Sequence, residues 1–190
     1  MKPGHAAAGE VRIVGGQWKR SKLPVLDRPG LRPTPDRVRE TLFNWLGQDL
    51  AGWRVLDAFA GSGALGFEAA SRGAASTLLL ENDATLVASL QASALRLGAT
   101  TLSVERADAL RWLAACAPGR FDLVLLDPPF DSGLGPALVA QAGRIVAVGG
   151  CVYLEAAAAL DAPPPGLVEH RRGRAGAVHF QLFRRSADGA

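Results

Sequence analysis

Cysteine is scarce in this chain, and long apolar runs are missing altogether. Its 190 residues include two cysteines, Cys116 and Cys151, at no spacing that suits a metal or redox motif. Neither a disulfide framework nor a metal site is expected, and the setting is expected to be the reduced cytoplasm. Nothing near the start resembles the apolar stretch of a secretory signal. The apolar runs, such as the one around Thr77 to Leu80, fall far short of the roughly 20 residues that cross a bilayer, so no membrane partner is expected. Internal repeats and long low-complexity linkers are also lacking. The length fits one ordinary domain, or one with a small appendage.

A strong excess of either charge is absent too, since the net charge is only +3, but its distribution is uneven. Residues 1 to 40 hold nine Lys/Arg against four acids, a local net of +5, and residues 41 to 166 hold seven against twelve, a net of −5. Residues 167 to 185 hold five arginines against Glu169 alone. An acidic middle therefore lies between basic ends. Clustered cations bind phosphates through counterion release, whereas a solvated face explains the same residues without any partner.

The order of patterns suggests three regions. Val11-Arg12-Ile13-Val14 and Lys22-Leu23-Pro24-Val25 read as a hairpin with a Gly15-Gly16 turn region and a Lys19-Arg20 tip. Thr34-Pro35-Asp36 reads as a helix start, with an N-cap hydroxyl, proline at the first helical position and an acid in the first turn. That helix should run to about Leu46, with Val38, Leu42, Trp45 and Leu46 on its packing face. Residues 1–50 are read as a basic hairpin-and-helix extension and residues 51–190 as the main domain.

From Trp53 onward, strands alternate with helices. Strands are expected near Arg54 to Phe59, Thr77 to Glu81, Leu102 to Glu105, Leu123 to Asp127 and Cys151 to Glu155. Helices are expected near Ala64 to Ser71, Ala84 to Leu97, Ala109 to Cys116 and Leu134 to Ala147. This is the signature of an α/β fold with a mostly parallel, doubly covered sheet. Leu167 to Arg172 and Ala177 to Arg184, separated by Gly173-Arg174-Ala175-Gly176, add an antiparallel hairpin at the edge.

Two segments carry chemistry. Asp57-Ala58-Phe59-Ala60-Gly61-Ser62-Gly63-Ala64-Leu65-Gly66 follows the first of these strands and opens the first of these helices, and it contains GxGxxG. Its glycines allow a tight turn and a close ligand approach at a helix N-terminus, which suits a nucleotide-like cofactor and also fits nicotinamide-dependent oxidoreductases. A carboxylate just before the loop is awkward for a pyrophosphate. Asp57 suits instead a ligand with a cationic amino group, such as S-adenosylmethionine. Glu81 ends the next strand, where it can accept from two ribose hydroxyls, and Asn82 follows it. Asp108, beside Ala109, can accept from an adenine amine or cap a helix. Phe59, Gly61, Ser62 and Gly63 complete the candidate cofactor set.

The second segment is Asp127-Pro128-Pro129-Phe130. Successive prolines cannot extend a strand, so the chain leaves the sheet there in a stiff, extended form. The Asp127 carboxylate and the Pro128 carbonyl are then acceptors without obligatory partners, and Phe130 supplies a ring for a planar group to lie against. Together these make a seat for the exocyclic amine of a base, although Asp and Pro also end strands with no further role.

Asp/Asn-Pro-Pro-aromatic together with Asp-x-Phe-x-Gly-Ser-Gly-x-x-Gly is similar to the amino-methyltransferase signature of S-adenosylmethionine-dependent Rossmann-like methyltransferases. Arg12-Ile13-Val14-Gly15-Gly16-Gln17-Trp18, Leu31-Arg32-Pro33-Thr34, Asp36 to Leu46 and the closing Gly176 to Phe183 resemble more narrowly the bacterial RsmD family. That resemblance covers nearly the whole chain and departs mainly at a short Pro-rich stretch, Ala162 to Gly166. It implies S-adenosyl-L-methionine as methyl donor and N2 of a guanosine in 16S ribosomal RNA, in an assembled or assembling small subunit, as acceptor. A monomer is expected. Lys19, Arg20 and Lys22 on the hairpin, Arg32, Arg37 and Arg39 near the pocket, and Arg171, Arg172 and Arg174 near the end are the candidate RNA contacts. Three competing readings are an oxidoreductase, a non-catalytic RNA-binding module and a DNA amino-methyltransferase. The first leaves Asp57 and the Pro-Pro turn unexplained, the second leaves the cofactor loop unexplained, and the third has little chain left for reading DNA.

Overall fold

The computed structural model describes residues 7–28, 34–129 and 133–187, with the side chains of all but residues 7 and 8. Phe130 and Arg32 lie outside these residues, so the stacking and phosphate roles expected of them have no structural counterpart here.

The main sheet is built from β3 (Arg54–Asp57), β4 (Ser76–Glu81), β5 (Leu102–Arg106), β6 (Phe121–Leu126), β7 (Val146–Ala156), β8 (Leu167–Ala175) and β9 (Val178–Arg185). Its order is β5-β4-β3-β6-β7-β9-β8. The pairs from β5 through β7 are parallel, whereas β9 runs antiparallel to both β7 and β8. The chain steps outward from β3 to β5 and then returns to place β6 beside β3. This reversal opens a crevice at the carboxyl ends of the strands, where ligands bind in such sheets.

Alternation along each strand sets the layers, because successive side chains point to opposite faces. Val55, Leu123, Leu125, Tyr153 and Leu182 face α1 (Asp36–Leu46) and α2 (Ala64–Ser71). Leu56, Val124, Leu126, Val152, Leu154 and Phe183 face α4 (Ala109–Ala115) and α5 (Gly135–Ile145). α3 (Ala84–Leu97) packs Leu90 with Phe67 and Leu79 beside α2, and the fold is the expected doubly covered α/β sheet.

A separate two-stranded sheet, β1 (Ala7–Arg12) with β2 (Lys22–Leu26), covers the outer side of α2. Val11, Ile13, Leu23 and Val25 join Phe67 and Ala70 in one cluster, so every residue of α2 is buried. The loop beyond the strands is pinned to the end of α2. Ser71 accepts from the Gln17 N–H at its carbonyl (2.8 Å) and from the Trp18 N–H at its hydroxyl (2.9 Å), and that hydroxyl donates to the Gly15 carbonyl (2.6 Å). The hairpin and α1 therefore share cores with the main sheet.

Two local expectations change. Pro35 occupies the N-cap position of α1, and no side chain caps that end. The Thr34 hydroxyl is instead turned into the molecule, toward the sheet edge. In the last hairpin, Gly173, Arg174 and Ala175 remain in β8, paired with Phe180, His179 and Val178, so the loop is only Gly176-Ala177. A two-residue connection needs a left-handed position, and Gly176 supplies it with φ +60°.

Candidate functional site

A cavity of about 1270 Å³ opens at the carboxyl edge of the sheet. That exceeds the roughly 300–1,000 Å³ typical of one small-ligand site and leaves room for two ligands side by side. Four consecutive strand ends supply its walls: Asp57 to Ser62 after β3, Glu81 to Asp83 at β4, Ala107 to Leu110 after β5, and Asp127 to Pro129 after β6. Glu155 of β7, with Arg28, Thr34 and Pro35, closes one side, and Ala177 and Val178 of the last hairpin also line it.

Of the expected cofactor residues, Asp57, Phe59, Gly61, Ser62, Glu81, Asn82, Asp108 and Ala109 all line this cavity. Gly63 does not. It is the left-handed N-cap of α2 (φ +81°), where a Cβ would stand 2.6 Å from the Phe67 ring, so its role is to let the loop turn beneath the ligand surface. Asp57 Oδ2 accepts from the Gly66 N–H at 2.9 Å, which ties the end of β3 to the first turn of α2. Glu81 is similarly engaged: Oε2 accepts from the Gly61 N–H (3.1 Å) and Oε1 from the Asp83 N–H (2.9 Å). Asp108 does cap α4, its Oδ1 accepting from the Arg111 N–H at 2.9 Å, and it lines the cavity as well.

Asp57 Oδ1 is buried and has no hydrogen-bond partner. Burial, with the charges of Glu81 and Glu155 nearby, pushes this carboxyl up to about 7 although the Gly66 N–H and, less strongly, the Phe59 N–H oppose the shift. A cationic group arriving there would fill the missing partnership and restore the anion. The donor set thus fits the ammonium of an amino-acid-bearing cofactor better than a phosphate.

At the other end, Asp127 is half-buried with Pro128 buried beside it, and both line the cavity. The Thr34 hydroxyl lies 3.4 Å from Asp127 Oδ2 and 2.9 Å from Glu155 Oε1, and the Tyr153 hydroxyl also donates to Glu155 Oε1 at 2.9 Å. Burial, reinforced by the Glu155 and Asp57 charges, holds Asp127 well above the usual carboxylate range. Burial raises Glu155 too, against its hydroxyl donors and the Arg39 charge. Thr34 and Glu155 were not among the expected site residues. A carboxylate at the C-terminal end of the fifth strand, beside the Pro-Pro turn, was the available signal for Glu155.

The candidate RNA contacts divide. Lys19, Arg20, Lys22, Arg37, Arg171, Arg172 and Arg174 are exposed. Lys22 pairs with Glu10 (2.7 Å), Arg172 with Glu169 (2.8 Å), and Arg174 donates to the Gly176 carbonyl (2.9 Å). Arg39 contradicts its expected role, because its side chain is 0% exposed. It donates to Glu68 Oε2 (3.2 Å), Asp36 Oδ1 and the Thr34 carbonyl (3.3 Å), and so cannot reach a phosphate without leaving the core. Its place beneath Thr34 makes it a support for the site. Among the described residues no helix is long and apolar enough to cross a membrane, and no group of three or more His, Cys, Asp or Glu could hold a metal ion.

The chain is similar to named proteins over nearly its whole length. It is 41% identical to the Escherichia coli (strain K12) protein named ribosomal RNA small subunit methyltransferase D, across 99% of this chain and 96% of that one. The protein of the same name from Haemophilus influenzae is 47% identical over 67% of this chain and 68% of its own. The solved structure of yhhF from Escherichia coli superposes with a TM-score of 0.83 at 40% identity, covering 95% of this chain and all of the other. An RNA methyltransferase from Salinibacter ruber in complex with S-adenosyl-L-homocysteine shares the fold (TM-score 0.64, 16% identity, 83% of this chain and 95% of that one). The family described as Conserved hypothetical protein 95 matches residues 11–184, and the chain belongs to it, alongside the methyltransferase D proteins of the small-subunit ribosomal RNA.

Proposed function

We propose that this protein transfers a methyl group from S-adenosyl-L-methionine to N2 of one guanosine in 16S ribosomal RNA, on an assembled or assembling small subunit in the cytoplasm, and that it acts as a monomer. The observation that carries the reading is that one cavity joins the glycine loop and Asp57 to Asp127-Pro128-Pro129. A donor pocket and an amine seat meet at the same sheet edge.

When bound, the cofactor supplies an electrophilic methyl on a sulfonium. Asp57 would pair with its amino group, Glu81 with its ribose hydroxyls and Asp108 with its adenine amine, while Phe59, Gly61, Ser62, Asn82 and Ala109 give the surface it rests on. The lone pair of a guanine N2 is delocalised into the ring, so the amine is a poor nucleophile. Asp127 and the Pro128 carbonyl would accept its two N–H bonds, hold it in line and favour its reshaping toward attack, with Phe130 stacked on the base. Catalysis of this kind is orientation plus electrostatics.

A base in a helix or stacked loop must be turned out to enter such a pocket. Residues 1–50 would serve as the RNA-gripping extension of the methyltransferase portion, residues 51–190. Lys19, Arg20, Lys22 and Arg37 on one side and Arg171, Arg172 and Arg174 on the other would hold phosphates. Mass spectrometry of 16S ribosomal RNA from cells with and without the protein, as nucleosides for base and atom and as nuclease fragments for the site, tests the reading. The same set of N2-methylated guanosines in both samples would end this reading. In vitro, Asp127→Ala is expected to abolish methyl transfer while cofactor binding by calorimetry stays nearly intact.

A further inference from the structure

One hydroxyl bridges two carboxyl groups at the amine seat: Thr34 Oγ1 lies 3.4 Å from Asp127 Oδ2 and 2.9 Å from Glu155 Oε1. Thr34 is 4% exposed and Glu155 5%, so neither is a rim residue satisfied by bulk water. A hydroxyl carries one proton and therefore donates in only one direction at a time. If Thr34 donates to Glu155, its lone pairs face Asp127, and that contact is attractive only when Asp127 Oδ2 bears a proton. If Thr34 donates to Asp127, Glu155 must bear the proton and donate to Thr34. In either arrangement one proton shared by the two carboxyls satisfies all three groups and relieves the repulsion between two like charges.

We propose that Thr34 and Glu155 are positioning residues that form a proton switch for Asp127. In the closed setting Asp127 is neutral and Glu155 is the anion, held by Thr34 and Tyr153. When the acceptor amine seats, its N–H groups favour the Asp127 anion. The Asp127 proton then passes to Thr34 Oγ1 as the Thr34 proton passes to Glu155 Oε1. One O–H bond breaks and one forms at each step, and no other reactant is needed. Among the described residues, the charged and titratable groups facing Glu155 and Asp127 are Asp57 from β3, Tyr153 from β7 and Arg39 from α1. Burial raises the Tyr153 phenol well above its ordinary value, so it stays a donor through the switch. Arg39 stabilises the Glu155 anion and grips the Thr34 carbonyl at 3.3 Å, fixing the hydroxyl between the two acids.

The inference rests on the reading that Asp127 accepts from an amine, and the experiment separates the two. Methyl transfer to undermethylated small subunits is measured against pH for the wild type, Asp127→Ala, Glu155→Gln, Thr34→Val and Thr34→Ser, with cofactor Kd and thermal melting for each. Because the switch leaves Glu155 neutral when Asp127 is the anion, Glu155→Gln is expected to leave the acid limb of the kcat profile in place, whereas an Asp127 that ionised against a Glu155 anion would have its limb fall by about one pH unit in that variant. Thr34→Val is expected to lower kcat about tenfold with cofactor Kd unchanged, and Thr34→Ser to restore it. Turnover in Asp127→Ala would end the amine-seat reading itself. An inactive Asp127→Ala beside an acid limb that falls by about one pH unit in Glu155→Gln, or beside an unchanged Thr34→Val rate, would overturn the switch alone. If Thr34→Val melts early, the Glu155→Gln profile and the Thr34→Ser rate decide.

Discussion

Arg39→Ala tests whether this arginine is an RNA contact or a buried support. The side chain is wholly enclosed and bonds Glu68, Asp36 and the Thr34 carbonyl. Breaking a buried pair by removing one partner costs about 3–5 kcal/mol, because a charge is left without its counter-charge. Glu68 keeps the Arg72 Nε at 2.9 Å and the Val14 N–H at 2.8 Å, so the lower end applies, about 3 kcal/mol. For a domain of this size that corresponds to a fall in Tm of about 6–12 °C. Differential scanning fluorimetry reads the shift, and filter binding across a salt series reads the RNA side. Arg37→Ala, two residues earlier and exposed, is the matched control: it should leave Tm unchanged and flatten the salt dependence. An Arg39→Ala protein with wild-type Tm and a reduced salt slope would refute the burial argument.

Three further outcomes follow from the site. Asp57 is raised to about 7, so its folded form holds a proton that the unfolded chain has already released between its ordinary value of 3.8 and about 7. That contribution is present below pH 3.8 and is lost as pH rises to about 7, amounting to at most about 4 kcal/mol by linkage. Asp57→Asn should remove this part of the slope in a plot of Tm against pH; an identical slope would mean Asp57 is not its source. The same variant should weaken cofactor binding about tenfold or more in titration calorimetry, where undiminished affinity would disprove the pairing with a cationic amine. Reversing charge at the loop tip, Lys19→Glu with Arg20→Glu, should raise the RNA Kd and lower the salt slope by about two, and unchanged binding would remove the hairpin from the RNA surface.

The strand–helix alternation was legible because it rests on local periodicity, and α2 and α3 begin and end where the apolar pattern places them. The same legibility extends to Asp57, Glu81, Asp108 and Asp127: a parallel sheet gathers its strand ends, so residues far apart in sequence line one cavity. Thr34 was not legible as a site residue. A hydroxyl before a helix looks identical whether it caps that helix or reaches an acid 93 or 121 residues away. From sequence Arg39 reads as an RNA contact and the packing face as Val38, Leu42, Trp45 and Leu46, although Arg39, Leu42 and Phe43 share helical spacing and are buried. The Arg39 charge argued the other way, and only the buried Glu68 on α2 resolves the conflict. Gly61 and Gly63 belong to one motif, yet the first lines the cavity and the second packs on Phe67, a distinction set by the third dimension alone.

α2 is eight residues long, roughly 12 Å along its axis, and buried on every side. Its first turn is bonded to Asp57 beneath the glycine loop, and its last residue is bonded to the loop that carries Lys19 and Arg20. On the proposed function this helix is a ruler. An RNA held at the basic tip has to deliver its base at a fixed span from that grip, and a stem whose phosphate-to-base distance does not match would be bound without being modified. Discrimination among guanosines would then lie in the rigidity of a short interior helix, with no side chain needed to read the sequence around the base.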